Sequence, residues 1–223
     1  ANTTAGFSIV SFTGNGSSDQ QVGHGLATTP TCYITKDRTN GSTNWHYHTT
    51  QIDGGMDYAF LNATNAFSSS SLSTPSSTTI RVGGTINTSS ANFISYVFAE
   101  KKGFSKFGSY TGNGTSGVDG AGDGTFVYTG FKPSMIIIKP SSAVENWQIL
   151  DNKRPGFNES DNLAPNNNAV ENTSNDFVDL VSNGFKLRSG TYSASGVTYI
   201  YMAFAENPFV ANDSGTAVPV VAR

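Results

Sequence analysis

The chain has 223 residues, of which only 13% are charged, and a net charge of −3. So weak a field gives no purchase on nucleic acid or an anionic membrane, and apolar runs such as Met135–Ile138 are far too short to cross a bilayer. The length suits two domains of roughly 100 residues, and Gly, Ser, Thr and Asn in quantity mark a turn-rich β protein. The single cysteine, Cys32, forms no internal disulfide; its apolar strand makes it a buried, inert thiol.

Residues 1–5 read as a polar leader. Phe7 to Phe12 alternates as a strand and runs into Thr13-Gly14-Asn15-Gly16, where Asn-Gly predicts a tight hairpin turn. Gln21 to His24 is a weak edge strand. Thr31 to Lys36 follows Pro30, with Cys32 and Ile34 on one side. A polar loop, Asp37 to Asn44, leads into the strand Asn44 to Thr49 with Trp45. Asp53-Gly-Gly-Met56 is a turn, and residues 62–79 form a long Ser/Thr/Asn loop with one short strand near Phe67. Thr79–Val82 and Asn92–Glu100 complete this half. The latter sets Ile94, Tyr96 and Phe98 on one side and Phe93, Val97 and Ala99 on the other, as a central strand requires.

After Lys101-Lys102-Gly103 the pattern restarts. Phe104 to Gly114 repeats Phe7 to Gly16, down to a second Thr-Gly-Asn-Gly. A glycine-rich loop, Thr115 to Gly124, precedes strands at Thr125–Tyr128, Met135–Lys139 and Trp147–Leu150. Asp176–Val181 and Phe185–Arg188 flank Ser182-Asn183-Gly184 as a hairpin, and Val197–Ala205 closes the half. Trp45 matches Trp147, and Phe98-Ala-Glu100 matches Phe204-Ala-Glu206. This shared order predicts a tandem duplication. The expected architecture is all-β: two antiparallel, jelly-roll-like sandwiches, residues 6–101 and 102–208, then an extended tail, 209–223. The apolar stretch Val218–Ala222 in that tail calls for a partner surface.

No candidate constellation amounts to a catalytic site. His46 and His48, two apart on a strand, point the same way but lack a third metal ligand, and so read as exposed polar residues. Asp119 and Asp123 begin like a calcium loop, yet Ala121 and Gly130 stand where oxygen ligands belong. Trp45 and Trp147 could stack sugars, but recurrence on the face opposite His46 and Gln148 makes them core residues. Glu100 and Glu206 suggest ion pairs with Lys36 and Lys139 at a sheet edge. Neither cofactor nor metal is expected. Recognition falls to the loops and their neighbours: Asn40, Ser42, Asn44, His46, His48, Asp119 and Asp123.

Phe104–Gly114, Tyr128-Thr-Gly-Phe-Lys-Pro133, Met135–Lys139, Trp147, Ser182–Leu187 and Tyr201–Pro208 together resemble a repeated domain of tail-fibre-like and other structural virion proteins. Those proteins belong to marine and cyanobacterial tailed bacteriophages. The resemblance implies a structural protein on the particle surface, tail-fibre or receptor-binding, with other virion proteins as partners and a host glycan or receptor as target. The expected state is a non-enzymatic homo-oligomer, a trimer being favoured. A head-decoration (knob or fibre) protein and a lectin-like carbohydrate-binding module are the alternatives. The first copy departs from the pattern between Leu26 and Pro30 and in its serine-rich loop, which questions a shared role for the two halves.

Overall fold

The computed structural model describes residues 1–115, 123–154, 161–173 and 177–207, and the backbone of 210–213 and 216–219. The chain is all-β, with antiparallel sheets throughout, and divides into two compact units, Ala1–Lys101 and Lys102–Arg223.

Unit 1 contains β1 (Phe7–Thr13), β2 (Gln20–Gly23), β3 (Cys32–Asp37), β4 (His46–Thr49), β5 (Asp57–Phe60), β6 (Ser68–Ser69), β7 (Thr79–Val82) and β8 (Asn92–Phe98). Six of them form one sheet in the order β1-β8-β3-β4-β5-β6, while β2 pairs only with β7. Strand alternation explains the layering. In β8, Phe93, Ser95 and Val97 are buried, while Ile94, Tyr96 and Phe98 on the other face are half-buried. Val22, Ile80 and Val82 of the small sheet share one core with Tyr33, Phe93 and Val97 of the large one. Cys32 is buried, and desolvation pushes its thiol up to about 12, so it is unreactive near neutral pH.

Unit 2 contains β9 (Ser105–Thr111), β10 (Phe126–Tyr128), β11 (Pro133–Pro140), β12 (Gln148–Asp151), β13 (Asn162–Leu163), β14 (Val178–Val181), β15 (Gly184–Leu187) and β16 (Thr198–Ala205). Its large sheet, β9-β16-β11-β12-β13, repeats the order β1-β8-β3-β4-β5. The small sheets differ. Unit 2 adds β14 to the pair β10-β15, the hairpin expected around Ser182-Asn183. Unit 1 instead has the serine-rich loop, whose one strand, β6, pairs with β5 on the large sheet. The segment expected as an extended tail folds back as a hairpin of β17 (Val210–Asp213) and β18 (Thr216–Pro219); residues 220–223 lie outside the described residues.

The two Thr-Gly-Asn-Gly segments are not hairpin turns. β1 and β2 belong to different sheets, and the segment between them crosses from one to the other. It docks on the stretch before β8: Gly14 N–H donates to Ala91 O and Gly16 N–H to Asn87 O, both at 2.9 Å. In unit 2, Gly112 N–H donates to Val197 O and Gly114 N–H to Ser193 O. Close approach is why Gly14 and Gly112 are glycines. A Cβ on Gly14 would lie 2.2 Å from Thr88 O, and one on Gly112 2.2 Å from Ala194 O. Backbone cannot yield as a side-chain tip can, so Gly112→Ala is expected to destabilise unit 2 by about 1–3 kcal/mol. Urea titration of that variant checks it; an unchanged midpoint would show that the crossing has room.

The Lys–Glu pairs also need correction. Lys36 lies opposite Ile94 on β8, whereas Glu100 follows the far end of that strand. Antiparallel pairing therefore separates the two strand ends. Lys36 Nζ instead donates to the carbonyls of Gly41 and Thr43, bracing the loop before β4. Lys139, opposite Ile200, donates to Ala143 O at 3.1 Å, and Glu206 pairs with Lys153. Burial lowers the Lys139 pKa to about 8, with Glu145 opposing.

Candidate functional site

β4 is buried on both faces, and its register sets what its two histidines meet. His48 lies opposite Tyr33 on β3 and Tyr58 on β5; His46 lies opposite Thr35 and Phe60. Directly opposed side chains share a sheet face, so these rings form a continuous stack. Tyr33 and His48 are nearly parallel with centroids 4.9 Å apart, His48 and His46 follow at 6.0 Å, and Phe60 meets His46 edge-on at 4.8 Å. Tyr58 flanks both imidazoles at 5.8 and 6.0 Å.

Thus His46 and His48 are not exposed polar residues; only 8% and 3% of their surfaces reach solvent. Desolvation is the first cause lowering their pKa values, with Lys36 adding to it at His46 and His46 at His48. The values fall to about 4 and about 3, so both rings are neutral at physiological pH. His24, the third histidine, is likewise lowered by burial, against a hydrogen bond to Ser76 O. Its Nδ1 accepts from Leu26 N–H, which places its proton on Nε2.

The histidines line a cavity of about 640 Å³. Tyr58 and Phe60 form the aromatic wall beside them. Ser18, Ser70, Ser71 and Thr85 contribute hydroxyls, and Gly83 and Gly84 contribute backbone. Gly84 has φ of +56°, and a Cβ placed there would meet nothing within 4 Å. Thr85 Oγ1 is 3.4 Å from His46 Nε2, while buried Nδ1 of His48 has no hydrogen-bond partner. Among the described residues, no Asp, Glu, Lys or Arg lines the cavity.

Unit 2 carries different residues at several matching positions. Gln148 and Leu150 replace His46 and His48; Asn162 donates to Gln148 Oε1, and Leu150 joins the core. Tyr192 stands where unit 1 has Ile86, packed edge-on against Phe177 at 5.5 Å. Val178 and Leu180 of the additional strand β14 belong to the same core. The cavity thus draws part of its lining from the serine-rich loop in which the first copy departs from the second.

The other anticipated residues lie apart from it. Asn40 and Ser42 are exposed in a self-braced loop, where Asn40 Oδ1 accepts from Ser42 N–H and Oγ–H. Asn44 is half-buried in a clamp: Asn62 Nδ2 donates to Asn44 Oδ1, and Asn62 Oδ1 accepts from Trp45 N–H. Unit 2 repeats the clamp with Asn146, Asn166 and Trp147. Trp147 is fully buried, but Trp45 is only half-buried, stacked 6.4 Å from Tyr96 with Lys36 Nζ 6.0 Å from its ring. Asp123 is tied to Lys186 through its carboxylate and to Asn113 through its carbonyl. Asp119 lies outside the described residues. Among those described, no group of three or more His, Cys, Asp or Glu could hold a metal ion.

Sequence reasoning missed Tyr58, Phe60 and Thr85. Tyr58 and Phe60 carried one signal, their two-residue spacing beside a strand bearing two histidines.

Sheets, core and cavity together define an all-β protein built of two antiparallel units, with a neutral pocket in the first. The chain belongs to a family described as a domain of unknown function (DUF7483), whose profile matches residues 1–208. No curated protein and no solved structure matches it.

Proposed function

We propose that this is a structural protein on the surface of a tailed-phage particle, acting in host attachment rather than catalysis, with unit 1 as the binding unit and unit 2 as scaffold. The observation that carries the division of labour is the unit-1 cavity, where two stacked neutral histidines and two half-buried aromatic rings face hydroxyls without an ionic side chain. Such a lining holds a ligand, but it lacks the carboxylate or charged nucleophile that turnover of a glycan uses. The phage setting rests on the resemblance of the Phe104–Gly114 and Tyr201–Pro208 segments to virion repeats. Common strand order in the two units supports their descent from one duplicated domain. A homo-oligomer, a trimer in this reading, gives the β17–β18 hairpin a surface, since a two-stranded hairpin is marginal alone. Mass spectrometry of purified particles should find this chain, and its absence from mature virions would overturn the setting. Measured hydrolysis of a host glycan by the isolated protein would overturn the non-enzymatic role.

A further inference from the structure

We propose that the unit-1 cavity binds a neutral sugar residue, its C–H face against Tyr58 and Phe60 and its hydroxyls bonded to the serine and threonine side. This deepens the attachment reading and rests on it for biological context, though not for the geometry. Three observations select the ligand class. The volume, about 640 Å³, lies within the roughly 300–1,000 Å³ of small-molecule sites. A charged ligand would be desolvated without a counter-charge, because every lining side chain is neutral. A purely apolar ligand would cover Ser18 and Ser71 without satisfying their hydroxyls, at a cost for each. What remains is a neutral molecule with an apolar face and several hydroxyl groups.

The aromatic side is prepared for such a face. Tyr58 and Phe60 are half-buried, tilted 60° to one another with centroids 5.7 Å apart, so they form an angled wall instead of a sealed core. Behind them the imidazoles are held by stacking, and each neutral ring offers one donor and one acceptor. Nδ1 of His48 is still without a partner inside the protein, an arrangement that buried polar atoms rarely keep. Gly84 leaves its stretch of wall without a side chain, giving the ligand backbone to approach. In unit 2, Leu150 replaces His48 and packs into the core, so unit 1 is the specific locus.

The intact chain would be titrated at about pH 7 with glucose, galactose, mannose and N-acetylglucosamine, and in parallel with glucuronate and galacturonate. Calorimetry would report affinity and imidazole NMR the location. At least one neutral sugar should bind, with both uronates weaker by about tenfold or more. The signals of His46 and His48 should move while His24 stays still. Tyr58→Ala should weaken binding about tenfold; Thr85→Val, at an exposed position, should weaken it measurably even if the tyrosine variant folds poorly. Failure of all four neutral sugars, preference for the uronates, or affinity untouched by Thr85→Val and a folded Tyr58→Ala would overturn the assignment. The chain found on particles without sugar binding refutes only the ligand; sugar binding by a chain absent from particles refutes only the phage setting.

Discussion

Unit 1 should lose several kcal/mol of stability between about pH 6.5 and pH 4 while unit 2 barely changes. All three histidines of the chain lie in unit 1. Burial holds His46 and His48 at about 4 and about 3, against an ordinary value of 6.5. The unfolded chain therefore binds protons through this window while the folded one does not, and stability falls as pH falls. Each such histidine contributes up to about 1.4 kcal/mol per pH unit. His24 acts in the same direction, because a proton on Nδ1 would face Leu26 N–H, donor against donor. Asp57, raised first by burial, acts oppositely and within the carboxylate range. Hydrogen exchange resolved by segment, at about pH 7 and about pH 4.5, measures the two units separately. The double variant H46Q/H48L, which installs the unit-2 residues, should flatten most of the slope; parallel loss in both units would defeat the account.

Much of the fold was legible because the same signals occur twice. Trp45 and Trp147, and the two Phe-Ala-Glu endings, align segments that the structure places in the same sheet positions. Apolar residues on both faces of Asn92–Glu100 correctly implied a central strand, which the structure places between β1 and β3. Local turn chemistry misled at Thr-Gly-Asn-Gly. Gly16 does have positive φ, at +76°, but that conformation serves a crossing between sheets as well as a hairpin. Pairing partners are a long-range property: β1 finds β8, some eighty residues on, because both bury one face on the same core. Strand β5 is four residues long, too short for its period to stand out.

The site was less legible than the fold. His46 and His48 were correctly seen to point the same way, but polarity was taken for exposure. The physical reason for their burial lies in residues distant in sequence, Tyr33 on one side and Tyr58 and Phe60 on the other. Nor does composition reveal that the serine-rich loop lines a cavity, whereas the corresponding stretch of unit 2 adds the apolar strand β14 to its small sheet.

Trp147→Ala should cost roughly 3–5 kcal/mol, and Trp45→Ala clearly less, despite their matching positions. Both indoles were expected in the core, yet only Trp147 is completely excluded from solvent. Its position, on the face opposite Gln148, lies outside the cluster between the sheets. Truncation there removes the largest side chain in the unit and leaves a cavity that backbone hydrogen-bonded on β12 cannot close. Trp45 has part of its surface in water and leans on Tyr96 and the Lys36 ammonium, so less transfer free energy is lost with it. In both variants the Asn clamp remains, since it engages the backbone N–H of the tryptophan and not its ring. The difference therefore reports what each indole ring contributes at its own position. Chemical denaturation of the two variants, followed by circular dichroism, measures it. Equal losses would mean that the matched positions carry the same load and that exposure of the Trp45 ring does not govern its contribution.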